Sequence, residues 1–289
     1  MRYRFVAAER AAFPVRALCR VVGVAASGFY AWLRREPGRR RGDDRRMGER
    51  IGAIFAASRG TYGSPRVHAE LRAEGVRVGR KRVARLMRES GLTPARRRRR
   101  VPRTTDSRHD LPVAPNLLDR QFAADRPDAV WLADISYIPT GEGWLYLAAI
   151  KDLATREIVG WSMADHLGAE LARDALLMAI RRRQPPPGLI HHSDRGVQYA
   201  SGPYRATLAR HGLVPSMSRK GDCLDNAPME SFFGSLKTEL VHRASFPTRL
   251  AARQALFEYV ETFYNRRRRH SGLGFLTPAQ AYEQMARAA

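Results

Sequence analysis

Three carboxylates in this chain sit where chemistry accounts for them better than packing does. Asp134 lies within Ala129–Pro139 (AVWLADISYIP), an apolar, β-branched run in which a charged side chain is expensive to bury unless a cation meets it. Asp194 directly follows a short apolar segment, in His191-His192-Ser193-Asp194-Arg195-Gly196, the kind of strand end at which open α/β sheets place their sites. Glu230 opens a helical stretch, Ala227–Leu240 (APMESFFGSLKTEL), and Lys237 follows seven residues later. Seven residues are about 700° of helix rotation, about 20° short of two turns, so Glu230 and Lys237 point the same way, with Phe233 between them. Acids from a central strand, a strand end and a helix could bind two Mg²⁺ ions, since hard dications take oxygen ligands and Mg²⁺ accepts one or two carboxylates beside water and phosphate. Two such ions about 3.5–4 Å apart activate an attacking oxygen and stabilise the leaving one in an in-line phosphoryl displacement. Lys237 would then face the phosphate or the bases beside the metals. Taken singly, Asp194 also reads as a turn or capping residue, and Glu230 as a first-turn glutamate favoured by the helix dipole.

The elements that must position these acids show in the periodicity. After Ala129–Pro139, the turn residues Gly141-Glu142-Gly143 lead into Trp144–Leu153 (WLYLAAIKDL), a hairpin signal, and a third strand fits Arg156–Ala164. Gly168–Arg183 has Leu171, Ala175, Leu176 and Ile180 at helical spacing, Pro185–Pro187 ends it, Gly188–His192 is a fourth strand, and a helix fits Gly202–Gly212. Three strands, a helix, a strand and a helix make a mixed α/β sheet. Neither GxxxxGK[ST] nor GxGxxG occurs, so ATP and dinucleotide chemistry lack support.

Charge divides the 289 residues in two. The whole chain carries +23; residues 1–118 hold 29 Lys+Arg against 10 Asp+Glu, a net +19, and residues 119–289 only +4. Such a field favours a polyanionic partner, nucleic acid ahead of an anionic membrane. The longest apolar run, Trp144–Ile150, is far below the roughly 20 residues a spanning helix needs. Arg10, Arg16 and Arg20 interrupt any apolar export signal, which predicts a cytoplasmic protein. Cys19 and Cys223 are too far apart to suggest a disulfide framework or a four-ligand zinc site.

In the basic half, Pro14–Val22 predicts a short helix, Gly23 breaks it, and Ser27 caps a second helix through Phe29, Trp32 and Leu33. A second pair follows, from Ser64-Pro65 and from Gly79–Ser90, with a turn at Gly75. In Gly79–Ser90, Lys81, Arg85 and Arg88 share one face while Val83, Leu86 and Met87 lie opposite, so the helix would pack inward and present cations to DNA or to solvent. Arg96–Arg100, continued by Arg103 and Arg108 and followed by Pro112 and Pro115, reads as a basic linker that orders along a phosphate backbone, with Arg97, Arg98 and Arg99 at its centre; Arg34–Arg50, with eight arginines, reads as a second such hinge. Phosphate contacts of this kind supply affinity, not sequence choice.

At this point the residues carry a resemblance. Asp134 and Asp194 with 59 residues between, Asp194 and Glu230 with 35 between, and a lysine seven further on resemble the D,D(35)E signature of retroviral integrases and bacterial insertion-sequence transposases. So do Trp131-Leu-Ala-Asp134-Ile-Ser-Tyr, His192-Ser-Asp194-Arg-Gly-Val-Gln-Tyr199, Asp225-Asn226-Ala227 ahead of Glu230-Ser-Phe-Phe, Tyr264-Asn265-Arg266 through Arg269-His270-Ser271 with Thr277-Pro278, and Ser58-Arg-Gly-Thr-Tyr-Gly-Ser-Pro-Arg66. The likeness covers nearly the whole chain and is close to the second-reading-frame (OrfB) type of insertion-sequence transposase. It departs at Ala133, where many relatives have threonine.

The resemblance implies an α/β, ribonuclease-H-like mixed-sheet catalytic core behind an all-α helix-turn-helix region, with Asp134, Asp194 and Glu230 holding two Mg²⁺, for which Mn²⁺ substitutes. The implied layout is a helical DNA-binding region at 1–94, a basic linker at 95–124, the catalytic core at 125–241 and a helical extension at 242–289. Its chemistry is cleavage at the ends of a mobile element, attack of the freed 3′-OH on another phosphodiester without a covalent protein–DNA intermediate, and in relatives joining of the ends into a circle. Its partners are double-stranded DNA, at least a second copy of the chain on paired ends, and a first-reading-frame product of the same element; its place is the bacterial nucleoid, with no membrane. The alternative class is a non-catalytic DNA-binding regulator from a decayed element, which needs none of the three acids; a repair nuclease on the same core would stop at hydrolysis.

Other residues divide between contact and packing. Asn226, one turn before Glu230, reads as a DNA contact or a helix cap. Arg266–Arg269, with Arg267 and Arg268 central, reads as a DNA grip or a helix end complementing its dipole. His191 and His192 are adjacent on a strand and face opposite ways, which argues against a shared ion and for core packing of at least one. Trp131 and Trp161 read as core.

Overall fold

The computed structural model describes residues 1–34, 39–95, 111–219 and 223–288. Six helices precede the sheet: α1 (Arg2–Glu9), α2 (Val15–Val21), α3 (Ala26–Arg34), α4 (Arg39–Ala57), α5 (Ser64–Ala73) and α6 (Arg80–Glu89). They form two small cores rather than one. Val6, Leu18, Cys19 and Phe29 close α1–α3, and Ile51, Val67, Leu71, Val83, Leu86 and Met87 close α4–α6. The third helix begins at Ala26, one residue ahead of the Ser27 cap expected for it.

Of the hinge expected at Arg34–Arg50, residues 39–50 instead belong to one helix, Arg39–Ala57, and residues 35–38 lie outside the described residues. No proline interrupts the chain between Pro37 and Pro65. Met47, Ile51, Ile54 and Phe55 recur at helical spacing on the α4–α6 core. Arg45 with Glu49 (3.2 Å) and Arg46 with Asp43 (2.5 Å) pair along the exposed side, so the charges do not repel as a block.

Five strands follow: β1 (Val130–Thr140), β2 (Gly143–Asp152), β3 (Ile158–Ala164), β4 (Ile190–Ser193) and β5 (Val214–Met217), in sheet order β3-β2-β1-β4-β5. β1–β3 are antiparallel, while β4 and β5 run parallel to β1. Arg156, expected inside β3, instead makes the preceding turn at φ 63°. One face is covered by α7 (Ala169–Arg183), α8 (Val197–Ala200) and α9 (Gly202–Arg210), packed on Trp131, Ala133, Ile150 and Val159. Gly160 permits that approach, since a Cβ there would stand 2.3 Å from the Ala175 carbonyl oxygen.

The other face is covered by α10 (Ala227–Glu239), α11 (Arg249–Phe257) and the π-helical turn Glu258–Tyr264 that continues it; α12 (Pro278–Ala288) closes the chain. Leu132, Ile138, Leu145, Phe232, Leu236, Tyr259 and Tyr264 form this second core. Each such fully buried side chain contributes roughly 1.5–3 kcal/mol. Among the described residues no helix is long and apolar enough to cross a membrane.

Candidate active site

Strand register brings the first two acids together. In the parallel β1–β4 pair, Leu132 lies opposite His192, the last paired residues; Asp134 lies two residues further on in β1 and Asp194 directly after β4, close enough for the Asp194 charge to act on Asp134. Side chains alternate across a sheet, so Asp134 shares the face of Leu132, which α10 covers. Glu230 lies in the first turn of α10 and Lys237 in its last, as the helical spacing required.

The electrostatics record the meeting. Desolvation first, and the Asp194 charge next, push the Asp134 carboxyl well above the usual carboxylate range; Glu230 adds to the push and Lys237 opposes it. Lys237 is half-buried, and its pKa is lowered by that burial against the attraction of Asp134. Local bonds hold the two aspartates: Asp134 Oδ1 accepts from the Ile135 amide at 2.8 Å, and Asp194 Oδ1 from the Gly196 amide at 2.9 Å.

These oxygens suit a hard dication, because a cation among them would offset the desolvation and the negative charges of Asp194 and Glu230 that raise Asp134. Among the described residues, no group of three His, Cys, Asp or Glu side chains could hold one ion. Any single ion would therefore take one or two of these carboxylates, the number Mg²⁺ ordinarily accepts beside water and phosphate.

Asn226 does not reach outward to DNA, nor does its side chain cap α10. It is buried, and its Nδ2 donates to the Ala133 carbonyl at 3.1 Å. The physical reason is local: the parallel pairing of β1 with β4 stops at Leu132, which leaves the next carbonyl available to a side chain.

The histidines behave as core on both faces. His191 bonds the Tyr204 hydroxyl at 3.0 Å, while His192 lies between Ser216 (2.8 Å) and Ser218 (3.2 Å). Trp131 is fully buried, but Trp161 is half-buried and donates to Glu261 at 2.8 Å, so it is a rim residue.

Among the expected DNA contacts, the structure separates exposed cations from engaged ones. Lys81 and Arg88 are exposed on α6. Arg85 instead bonds Asp44 at 2.7 Å and Glu89 at 2.9 Å, because α4 lies against α6 and brings Asp44 to it. Arg267 is exposed, whereas Arg268 is buried with its guanidinium bonded to Glu239 at 2.7 Å, which rules it out as a DNA grip. Arg269 pairs with Glu70 of α5 at 2.7 Å, and the Tyr62 hydroxyl donates to the Arg267 carbonyl at 2.9 Å, so this C-terminal turn fastens the α4–α6 unit to the sheet half. Arg97, Arg98 and Arg99 lie outside the described residues.

Three site residues escaped the spacing argument. Asp225 is fully buried, and Arg219, with Arg120, holds its carboxyl well below the usual range; Asn116 also donates to it. Tyr199 is buried close enough to Asp134 and Asp194 for both to raise its pKa, though burial raises it most, and its hydroxyl has no hydrogen-bond partner among the described residues. Lys151, buried on β2, donates to the Pro228 carbonyl at 2.9 Å. An ionisable residue in an apolar strand was the signal that marked Asp134, and it marks Lys151 equally.

A five-stranded mixed sheet covered by helices on both faces, with Asp134 on its central strand, Asp194 directly after β4 and Glu230 in the first turn of α10, is the layout of an integrase core, a ribonuclease-H-like α/β scaffold. The "Integrase core domain" family matches residues 124–223 and again 230–286, and an "HTH-like domain" matches 42–100. An uncharacterised 31 kDa protein of insertion element IS600 from Shigella sonnei is 49% identical over 272 residues, covering 93% of this chain and 100% of its own. Transposase InsF for insertion sequence IS3A from Escherichia coli (strain K12) is 45% identical over 282 residues, covering 97% and 98%. The chain belongs to this family of insertion-sequence transposases. Among solved structures, a simian T-cell lymphotropic virus intasome gives a TM-score of 0.47 at 16% identity, over 74% of this chain and 69% of that one.

Proposed function

We propose that this transposase cleaves DNA at the ends of an insertion sequence and transfers the freed strands, with Asp134, Asp194 and Glu230 as the residues that hold two divalent ions. The single observation behind the assignment is that Asp194, Glu230 and Lys237 all stand close enough to Asp134 to act on its charge. When bound, Mg²⁺ would supply activation of the attacking oxygen and stabilisation of the leaving one. The chain's own part is to hold the acids in place and to offer Lys237 to a phosphate.

Lys81, Arg88, Arg267 and the arginines at 97–99 are the proposed DNA contacts, within a layout of helical region 1–94, linker 95–124, core 125–241 and extension 242–289. A cleft of about 350 Å³, lined by Phe55, Gly60, Thr93, Thr238, His242 and Arg243, lies where the α4–α6 unit meets the end of α10. Two element ends need at least two copies of the chain. A first-reading-frame product is a further proposed partner, and the nucleoid the proposed place of action.

Labelled terminal DNA incubated with Mg²⁺ or Mn²⁺ separates binding, nicking and strand transfer. Asp134→Asn, Asp194→Asn or Glu230→Gln should abolish nicking and joining while binding stays within a few-fold. Unimpaired joining by any one of these variants rejects the assignment. Binding without nicking by the wild type would move the chain to the regulator class.

A further inference from the structure

We infer that Asn226 and Lys151 are positioning residues that set Glu230 against Asp134. The inference rests on the reading that these acids hold the metal. Glu230 stands on a helix and Asp134 on a strand, and nothing in either backbone ladder fixes one relative to the other. Two side-chain bonds do. The Nδ2 of Asn226 donates at 3.1 Å to the carbonyl of Ala133, the residue directly before Asp134. The Nζ of Lys151 donates at 2.9 Å to the carbonyl of Pro228, two residues before Glu230. Lys151 reaches from β2, where it lies opposite Leu132 of β1, so the first turn of α10 is tied to two adjacent strands at once.

Both ties are costly ones to keep. Burial pushes the Lys151 ammonium down to about 7, with Arg156 and Arg268 adding to the push and Asp152 opposing it, at a strand position that an aliphatic side chain would fill without charge. The Asn226 Oδ1 is buried without a hydrogen-bond partner among the described residues, so its amide is half-satisfied. The neighbouring Asp225 clamps the same turn from the other side through Arg219 at 2.8 Å and Arg120 at 3.1 Å. Asn226 and Lys151 are each too deeply buried to touch DNA. Their effect on the reaction is therefore through where Glu230 sits, and a site of this kind tolerates only about 0.5 Å of misplacement.

The test is a Mg²⁺ titration read as thermal unfolding of the full chain, since an ion bound to the folded state raises Tm by mass action. It compares the wild type, Asn226→Ala, Lys151→Met, Glu230→Gln and Asn226→Ala combined with Glu230→Gln. Each positioning variant should need roughly tenfold or more Mg²⁺ for the wild-type rise in Tm, the usual consequence of removing a group that orients a ligand. Strand transfer should recover toward wild type at raised Mg²⁺ or in Mn²⁺, with DNA affinity within about threefold. In the Glu230→Gln background, Asn226→Ala should cause no further shift.

Variants that titrate like the wild type overturn the inference. So does a shift that persists undiminished without Glu230, and so does failure of both variants to fold, which would make the ties purely structural. A wild type with neither a metal-dependent Tm nor strand transfer refutes the underlying reading and takes this inference with it.

Discussion

In the α4–α6 unit, arginines meet acids at the rim, in water; in the sheet half, the charges around α10 are taken out of water. Arg82 and Arg85 share Asp44 at 2.7 Å each, and Arg50 meets Glu74 at 2.7 Å, all on partly exposed side chains. Arg268 with Glu239 and Lys151 with the Pro228 carbonyl lie behind packed hydrocarbon, and the Asp225 carboxylate is buried beneath the half-exposed Arg219. A charge in water can be spent on a partner, because little is lost when its neighbour lets go. A buried charge cannot, because removing one partner leaves the other desolvated and alone. The abundance of arginine thus marks the half proposed to meet DNA, but burial decides which arginines are free to do so.

The adjacent pair Arg267 and Arg268 gives the sharpest break of that contrast. Arg268→Ala should destabilise the fold by about 3–5 kcal/mol, the range for stripping one partner from a buried ion pair. Arg267→Ala should stay within about 0.5 kcal/mol, as an exposed substitution does, and should instead weaken DNA binding. Urea unfolding and a binding titration on both variants check it. Equal stability losses would erase the distinction between the two regions.

The next effect is on acid stability. Burial pushes His191 down to about 3 and His192 to about 4, from an ordinary 6.5. Both rings are thus neutral in the fold while the unfolded chain takes up protons first. The stability they permit at neutral pH is lost as pH falls from about 6.5 toward 4 for His192, at roughly 3 kcal/mol, and on toward 3 for His191. His192→Gln, which keeps a hydrogen-bonding side chain between Ser216 and Ser218 without a titrating ring, should make that limb shallower in unfolding measured across pH, leaving the part due to His191. An unchanged limb would show that sheet-half burial does not govern the acid response.

The same contrast explains what could be read from the chain alone. β1–β4 and α10 were legible to within about two residues, because apolar periodicity and the breakers Gly141-Glu142-Gly143 and Pro185–Pro187 are local signals. The three acids were legible because an ionisable residue stands out in an apolar strand, or by its spacing. β5 was not: Val214–Met217 is four residues with a proline, a pattern tolerated because β5 is an edge strand. α1 has a single fully buried position, Val6, and so no stripe to detect. The fates of Arg85, Asn226 and Arg268 were settled by α4, β1 and α10, partners distant in sequence, and no spacing rule along one element reports on them.

The smallest effect asks whether rim charge is exchangeable. If α6 lies on DNA, Lys81 and Arg88 already face the phosphates, while Arg82 and Arg85 are occupied with Asp44. Asp44→Asn keeps the shape of that side chain and removes its charge, freeing Arg82, while Arg85 keeps Glu89. Each cation newly seated on a phosphate steepens the slope of log K against log salt by about 0.9, so the variant should steepen it by about 0.9, while Lys81→Ala or Arg88→Ala should flatten it by about as much. Arg85→Ala in the wild-type background should leave it nearly unchanged. A slope that ignores all four substitutions would take α6 off the DNA, and the phosphate contacts would then have to come from Arg267 and the residues at 96–110.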